Sequence, residues 1–227
     1  MGDAGTNQPI TTRPDVALCR VDRVASDGPT TPDTQRVVTF GTGRLLDIGD
    51  IANTAVQSAY VLSDTGVPIS AAQWRTSSSM VKQTLAKTSG AAGDLYTISG
   101  GDVDLSKHAG WYVDFDRNAG ERVNLDPAIV QGTLTVVTNI PSSSSSCSVG
   151  GTANIYGLDL CTGKAVDDYA GKTLSNNAGV VGFITIGLSD GSTHTIATPA
   201  TGGSIRAGNP PPKKVPTRRS GVRRVHE

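Results

Sequence analysis

The stretch Tyr60-Val61-Leu62-Ser63-Asp64-Thr65-Gly66 returns in the second half of the chain as Tyr156-Gly157-Leu158-Asp159-Leu160-Cys161-Thr162-Gly163. In both places an apolar strand headed by a tyrosine runs into a turn of Asp, Thr and Gly, residues that suit tight reversals. The strand before each also corresponds, Val37-Val38-Thr39-Phe40-Gly41-Thr42 matching Thr135-Val136-Val137-Thr138-Asn139 in pattern. A unit that recurs in this way, strand then loop then Tyr-x-Leu strand, has the form of a small sheet with two apolar faces. Such faces are covered only by neighbouring sheets, so the unit has to repeat around a shared axis.

Outward from these two ribbons, short runs alternate apolar and polar residues between Gly, Pro, Asn, Asp and Ser: 10–21, 36–40, 56–62, 111–115, 133–137, 155–160, 180–188 and 193–197. This is the period of half-buried strands. Residues 47–63 and 80–87 have helix-like content, but neither stretch ends in a convincing cap. The expected fold is all-β, an incomplete β-propeller of quinoprotein-like four-stranded blades, about three to four in number, whereas closed rings carry about four to eight. Residues 68–109 read as a long insertion between strands. A plain β-sandwich is the rival architecture, and the recurring Tyr-x-Leu ribbon favours blades.

The 227 residues carry 20 basic and 20 acidic side chains, but the balance is uneven along the chain. Residues 1–205 hold 13 basic and 19 acidic, while 206–227 hold 7 and 1. The domain is therefore expected over 1–206, followed by a Pro-rich basic tail, 207–227, too poor in apolar residues to fold by itself. The tail lacks the interleaved aromatics that stack on bases, so nucleic acid is not an expected partner. No run reaches the length of a membrane helix, and residues 1–10 lack the apolar core of a signal peptide.

Three cysteines without metal-finger spacing leave at least one unpaired within the chain. Cys147 and Cys161 flank residues 150–160, read as a hairpin, and a bridge between them is expected, with Cys19 left over. Closing that short loop stabilises by about 3 kcal/mol in the chain-entropy model. The sequence Asp114-x-Asp116-x-Asn118-x-Gly120 spaces oxygens as a calcium loop does. However, its glycine comes one place late and its twelfth position is Leu125, so a solvated turn is the expectation and no metal site is assigned. His108, His194 and His226 lie apart beside polar loop residues and have no evident catalytic partner. Asp47 with Asp50, and Asp102 with Asp104, read as ionised solvent-facing pairs. Gly41-Thr42-Gly43 is a turn at a blade edge, lacking the later Gly-Lys-Ser/Thr of a phosphate loop. Ser142 to Ser146 is a low-complexity loop without a nucleophile elbow.

Four blocks of the chain, taken together and in order, resemble the C-terminal β-propeller of the PilC/PilY family of type IV pilus tip-associated adhesin and assembly proteins. The first is Gln8-Pro9-Ile10-Thr11-Thr12-Arg13-Pro14. The second is Phe40-Gly41-Thr42-Gly43-Arg44-Leu45-Leu46 with Asp50-Ile51 and Val56-Gln57-Ser58-Ala59-Tyr60. The third is Gly110-Trp111-Tyr112-Val113-Asp114 with Gly120-Glu121-Arg122-Val123. The fourth is Thr138-Asn139-Ile140-Pro141 with Cys147-Ser148-Val149-Gly150-Gly151 and Tyr156-Gly157-Leu158-Asp159.

The resemblance implies a non-enzymatic role in pilus assembly, opposition to retraction and surface adhesion, at the cell surface, the pilus tip or the outer membrane and periplasm. Implied partners are pilin, minor pilins, the remaining propeller blades and a host surface. It also implies that the chain is a C-terminal fragment or truncated copy, and that the family's calcium loop belongs to an upstream part. No cofactor is expected in this segment. The rival from another class is a fragment of a pyrroloquinoline quinone-dependent dehydrogenase, whose blades look alike. That site needs convergent Glu, Asn, Asp and Arg with a stacking Trp, and the only tryptophans are Trp74 and Trp111 in non-repeating contexts. A generic binding propeller is the third reading.

Overall fold

The computed structural model describes residues 7–24, 30–66, 75, 79–142, 150–175 and 177–209. In chain order the strands are β1 (Asp15–Val24), β2 (Thr30–Gly41), β3 (Ser58–Ser63), β4 (Met80–Gly90), β5 (Gly93–Gly100), β6 (Gly110–Asp114) and β7 (Ala128–Val130). They continue with β8 (Thr133–Ser142), β9 (Gly150–Asp159), β10 (Gly171–Ser175), β11 (Val180–Gly187), β12 (Thr193–Pro199) and β13 (Ile205–Asn209). A single helical turn, α1 (Ile48–Ile51), lies between β2 and β3.

The strands form two hydrogen-bonded sheets, one of ten strands and one of three; the two four-stranded ends of the larger are named sheet I and sheet II. Sheet I is β1-β2-β3-β6 and sheet II is β7-β8-β9-β10, each antiparallel throughout. Sheet III is β11-β12-β13, also antiparallel. The two four-stranded sheets are built alike, with β2-β3 and β8-β9 as the recurring ribbon. The hairpin β4-β5 joins them along one side, β4 running parallel to β6 and β5 antiparallel to β10, so that sheets I and II form one nearly closed, barrel-like whole.

Period-2 alternation decides which face of each strand meets which sheet. Ala59 and Val61 of β3 point into the core shared with sheet II, together with Trp111, Val113, Leu134, Val136, Tyr156 and Leu158. Their neighbours Tyr60 and Leu62 point away, into a cluster with Phe40, Met80 and Tyr112. On sheet II, Val137, Ala153 and Ile155 face outward and pack on Val180, Ala197 and Ala207 of sheet III. Sheet thus stacks on sheet three deep, as blades of a propeller do.

Several expectations change in detail. Residues 80–87 are strand β4: Leu, Ala, Lys and Gln favour a helix, but backbone partners on both sides outweigh that weak preference. The expected insertion 68–109 contains the whole β4-β5 hairpin. Residues 150–160, expected as a hairpin, are a single ten-residue strand, β9, and its turn. The domain boundary drawn at 206 falls inside β13, which carries sheet III to Asn209; residues 210–227 lie outside the described ones.

Candidate interaction site

The segment between β2 and β3 is held unusually firmly for an exposed loop. Asp47 caps α1 by accepting from Gly49 N, and the Asp50 carboxylate closes the capping box from the other side, accepting from Leu46 N and Asp47 N. Arg44 Nε donates to the second Asp50 oxygen at 2.8 Å. Asp50 is therefore buried and partnered, in contrast to the solvated carboxylate expected from its sequence. The Leu46 amide, with Arg44 and Asp47 in support, holds its pKa below the ordinary range against the opposing effect of burial.

Beneath the loop lies the buried guanidinium of Arg122, which donates to four main-chain carbonyls: Gly120, Arg44, Asp50 and Asn53, at 2.6–2.9 Å. Gly43, with φ of +130°, passes so close that a Cβ there would stand 2.5 Å from Arg122 Cβ, which explains the glycine. Pro9 O accepts from Gly43 N, and Thr11 donates to Gly43 O, lacing the N-terminal segment to the same place. On this fixed backbone Leu46 and Ile48 stand 78% and 75% exposed. Two large apolar side chains presented at so little conformational cost have the character of an anchor for a partner's apolar pocket.

A second apolar surface is the outer face of sheet III, where Ile184 (60% exposed) and Ile186 stand across from Ile196 and His194 of β12. Its inner face is buried against sheet II, while the outer face meets no other sheet among the described residues.

The residues spaced like a calcium loop, to which no metal is assigned, do not converge on one point. Asp114 accepts from Ser58 Oγ and Arg75 Nη2, each at 2.6 Å, and pairs with Lys82 at 2.9 Å. Burial works to raise its pKa, but the bonds from Ser58 and Lys82 and the Arg75 charge outweigh it and leave the group below the ordinary range. Arg75 also lies over the Tyr112 ring at 4.4 Å and donates to Tyr60 OH. Asp116 is paired with Arg117. Asn118 donates to Tyr96 OH and Glu121 and accepts from Lys87. Among the described residues no cluster of three His, Cys, Asp or Glu could hold a metal.

Between sheets I and II lies a buried polar network that no local pattern announces. Glu121 Oε1 accepts from Thr138 Oγ1, Asn154 Nδ2 and Tyr156 OH at 2.6–3.0 Å, and Oε2 from Asn118. Four donors compensate a carboxylate that has no ion pair among the described residues, and they tie the loop before β7 to β8 and β9. Burial pushes the Tyr96 hydroxyl up to about 12 and Tyr156 well above its ordinary value.

The remaining candidates are scattered. Cys161 is bonded to Cys19, not to Cys147, with the α-carbons 5.6 Å apart. Cys147 itself lies outside the described residues, as do Trp74, His226 and Ser143 to Ser146. His108 Nδ1 accepts from Asp104 N, and His194 is on β12 and not in a loop. Asp104 is tied to Ser106 and Lys107, which hold it at about 2; Asp102 is fully exposed, 3.7 Å from Lys164. Trp111 is fully buried, its indole N–H donating to Leu160 O. No described helix is long and apolar enough to cross a membrane.

Comparison with protein-family models and with curated proteins finds no match. Among solved structures the chain is similar to the crystal structure of the Pseudomonas aeruginosa PilY1 C-terminal domain, with a TM-score of 0.57 and 19% identity. The likeness covers 90% of this chain and 46% of that one. The chain has the fold of the PilY1 C-terminal domain. It spans somewhat under half the length of that β-propeller.

Proposed function

We propose that this chain is a type IV pilus-associated propeller segment that works by association, without chemistry of its own. The observation that carries this reading is the pair Leu46 and Ile48, held out on a loop fixed by the buried Arg122 and by Asp50. The fold shared with the PilY1 C-terminal domain, and the resemblance of the four sequence blocks to the PilC/PilY family, support the pilus as its setting. In this reading pilin or minor pilins meet the Leu46–Ile48 knob. The exposed face of sheet III receives remaining blades of a longer propeller, since each apolar sheet face is stable only when another sheet covers it. Pilus assembly, opposition to retraction, and adhesion to a host surface are the corresponding activities. The setting is the cell surface, the pilus tip or the periplasm and outer membrane, with any calcium held upstream.

The test is binding of the immobilised chain to sheared type IV pili over a range of salt concentrations. The expected result is saturable binding that weakens at least tenfold in the double substitution Leu46→Asp, Ile48→Asp, with unchanged thermal unfolding. Equal binding by the variant, or none by the native chain, would overturn the reading.

A further inference from the structure

Lys87, on β4, and Asn118, in the loop after β6, meet side chain to side chain, Lys87 Nζ donating to Asn118 Oδ1 at 2.8 Å. The other end of the same amide is fixed as well: Asn118 Nδ2 donates to Glu121 Oε2 at 2.7 Å and to Tyr96 OH at 2.8 Å. These partners dictate the orientation, because the reverse would set the amide oxygen against a carboxylate and the amide N–H groups against an ammonium. The amide carbon is one bond from the oxygen that Lys87 touches, so Nζ stands about 3–4 Å from Cγ, the separation of a near-attack arrangement.

One side of this meeting point is closed and the other is open. Glu121, Tyr96 and Tyr156 are buried, and Phe115 packs on Tyr156 with ring centroids 5.0 Å apart. In such a water-poor pocket a carboxylate acts more strongly on the groups it touches than it would in solvent. Toward the surface Lys87 faces Asp94 Oδ2 at 3.5 Å, and both side chains are partly exposed, which leaves a small product a way out.

We propose that Lys87 and Asn118 condense into an intramolecular isopeptide bond, with Glu121 as the proton shuttle. Lys87 Nζ yields a proton to the Asp94 carboxylate, and the freed lone pair attacks Asn118 Cγ. In the tetrahedral adduct both nitrogens are bonded to Cγ, so the carboxylate that already holds Nδ2 reaches the two of them. Glu121 Oε2 removes a proton from Nζ and delivers it to Nδ2. The Cγ–Nδ2 bond then breaks, and ammonia departs with the proton that Asp94 held, leaving both carboxylates as they began. A primary amide and a lysine ammonium become a secondary amide and an ammonium ion; nothing is oxidised or reduced, and no co-reactant is needed. The reaction happens once, on the chain itself, and acts on no outside substrate. Its product fastens β4, in the hairpin that joins sheets I and II, to the loop that carries Arg122, bracing covalently the platform beneath Leu46 and Ile48.

The test is intact mass and peptide mapping of the full chain, reduced after prolonged storage in the folded state, beside the variants Lys87→Arg and Glu121→Gln. The native chain should weigh about 17 Da less than its sequence, the mass of one ammonia. A lysine-specific protease should fail to cut after Lys87, and the Lys87 and Asn118 peptides should be recovered as one branched species. Lys87→Arg, a change at an exposed position, should keep the full mass. Glu121→Gln, shown to be folded by an unchanged circular dichroism spectrum, should form the bond at least tenfold more slowly. Full mass in the native chain would overturn the proposal. So would a loss of the same size that persists in Lys87→Arg, which would mean that Asn118 cyclises onto its own backbone, or an undiminished rate in folded Glu121→Gln.

Discussion

Cys19, on the first strand of sheet I, is bonded to Cys161, in the turn after β9 of sheet II, across 142 residues of sequence. The bond clasps the two sheets where the turn that carries Cys161 also meets the β4-β5 hairpin, Gln83 Nε2 donating to Thr162 O and Lys164 Nζ to Gly100 O, and β1 also lies beside β7. A cross-link over a loop this long lowers the entropy of the unfolded chain more than a short one. The chain-entropy model gives about 5 kcal/mol, against about 3 for a 15-residue loop. Cys19→Ser should therefore move the denaturant midpoint down by an amount equal to that of reduction by a phosphine, and a non-reducing peptide map should join the Cys19 peptide to the Cys161 peptide. An unshifted midpoint after complete reduction would count against the clasp.

Arg122 illustrates how much one buried cation can organise. Replacing it with Met keeps most of its stem but leaves the carbonyls of Arg44, Asp50 and Asn53 without their donor. Unsatisfied buried groups cost about 1–3 kcal/mol each, less where water can enter, so a loss of about 2–4 kcal/mol is expected in chemical unfolding. Arg122→Lys should recover only a small part, because an ammonium cannot reproduce the planar fork. Limited proteolysis between 44 and 53 should rise in both variants.

Acid should destabilise the protein in a defined window. Asp114, Asp50 and Asp104 are all held below the ordinary carboxylate value of 3.8, Asp104 at about 2. A lowered pKa in the fold gives stabilisation that is complete above the unfolded value and lost as pH falls through the folded one. The midpoint of thermal unfolding is thus expected to fall steadily from about pH 4 to pH 2, and Asp114→Asn should make that slope shallower. A slope identical to the native one would show that the Ser58–Arg75–Lys82 arrangement adds nothing.

At the alkaline end the tyrosines set the limit. Burial raises Tyr96 from 10.0 to about 12 and raises Tyr156 in the same direction. The unfolded chain ionises at about 10, so stability should drop above pH 10 as only the unfolded state releases these protons. Phenolate absorbance from these two rings should appear together with loss of structure, not before it; a smooth early titration of all five tyrosines would contradict the buried network around Glu121.

The dehydrogenase alternative makes its own prediction, since its cofactor chemistry would need a stacking indole. Trp111 is wholly enclosed and bonded to Leu160 O. Adding pyrroloquinoline quinone and calcium should give no dye-linked alcohol oxidation above a protein-free control, and a rate that scales with protein concentration would reverse that expectation.

Much of the architecture could be read in the residues, because period-2 alternation is local. The paired Tyr60 and Tyr156 ribbons correctly marked β3 and β9, and all eight expected runs contain strands. What was lost is register and partnership. Phe40 faces Tyr60 and Val136 faces Tyr156, but Tyr60 points away from the core that Tyr156 enters, so the two matched ribbons place their tyrosines on opposite faces. β4 was hidden by helix-favouring residues, and β10 and β13 by polar rim positions that alternate weakly. The Cys19 bridge joins distant segments, and no local pattern encodes that. Arg122 and Glu121 stood inside a quoted block, but nothing in the letters distinguishes a buried ion from a solvated one.

The β4-β5 hairpin has a consequence for how the molecule comes into being. Its first neighbour, β6, follows within a few residues, but its second, β10, leaves the ribosome only after about seventy more, so one flank of β5 stays bare throughout that interval. Strand pairings over such separations are slow and hazardous for a nascent polypeptide. A holdase or an escort that shields Leu95 and Tyr96 until Gly171 and Lys172 arrive would suit a molecule maturing in this order, with thiol oxidation sealing the product last.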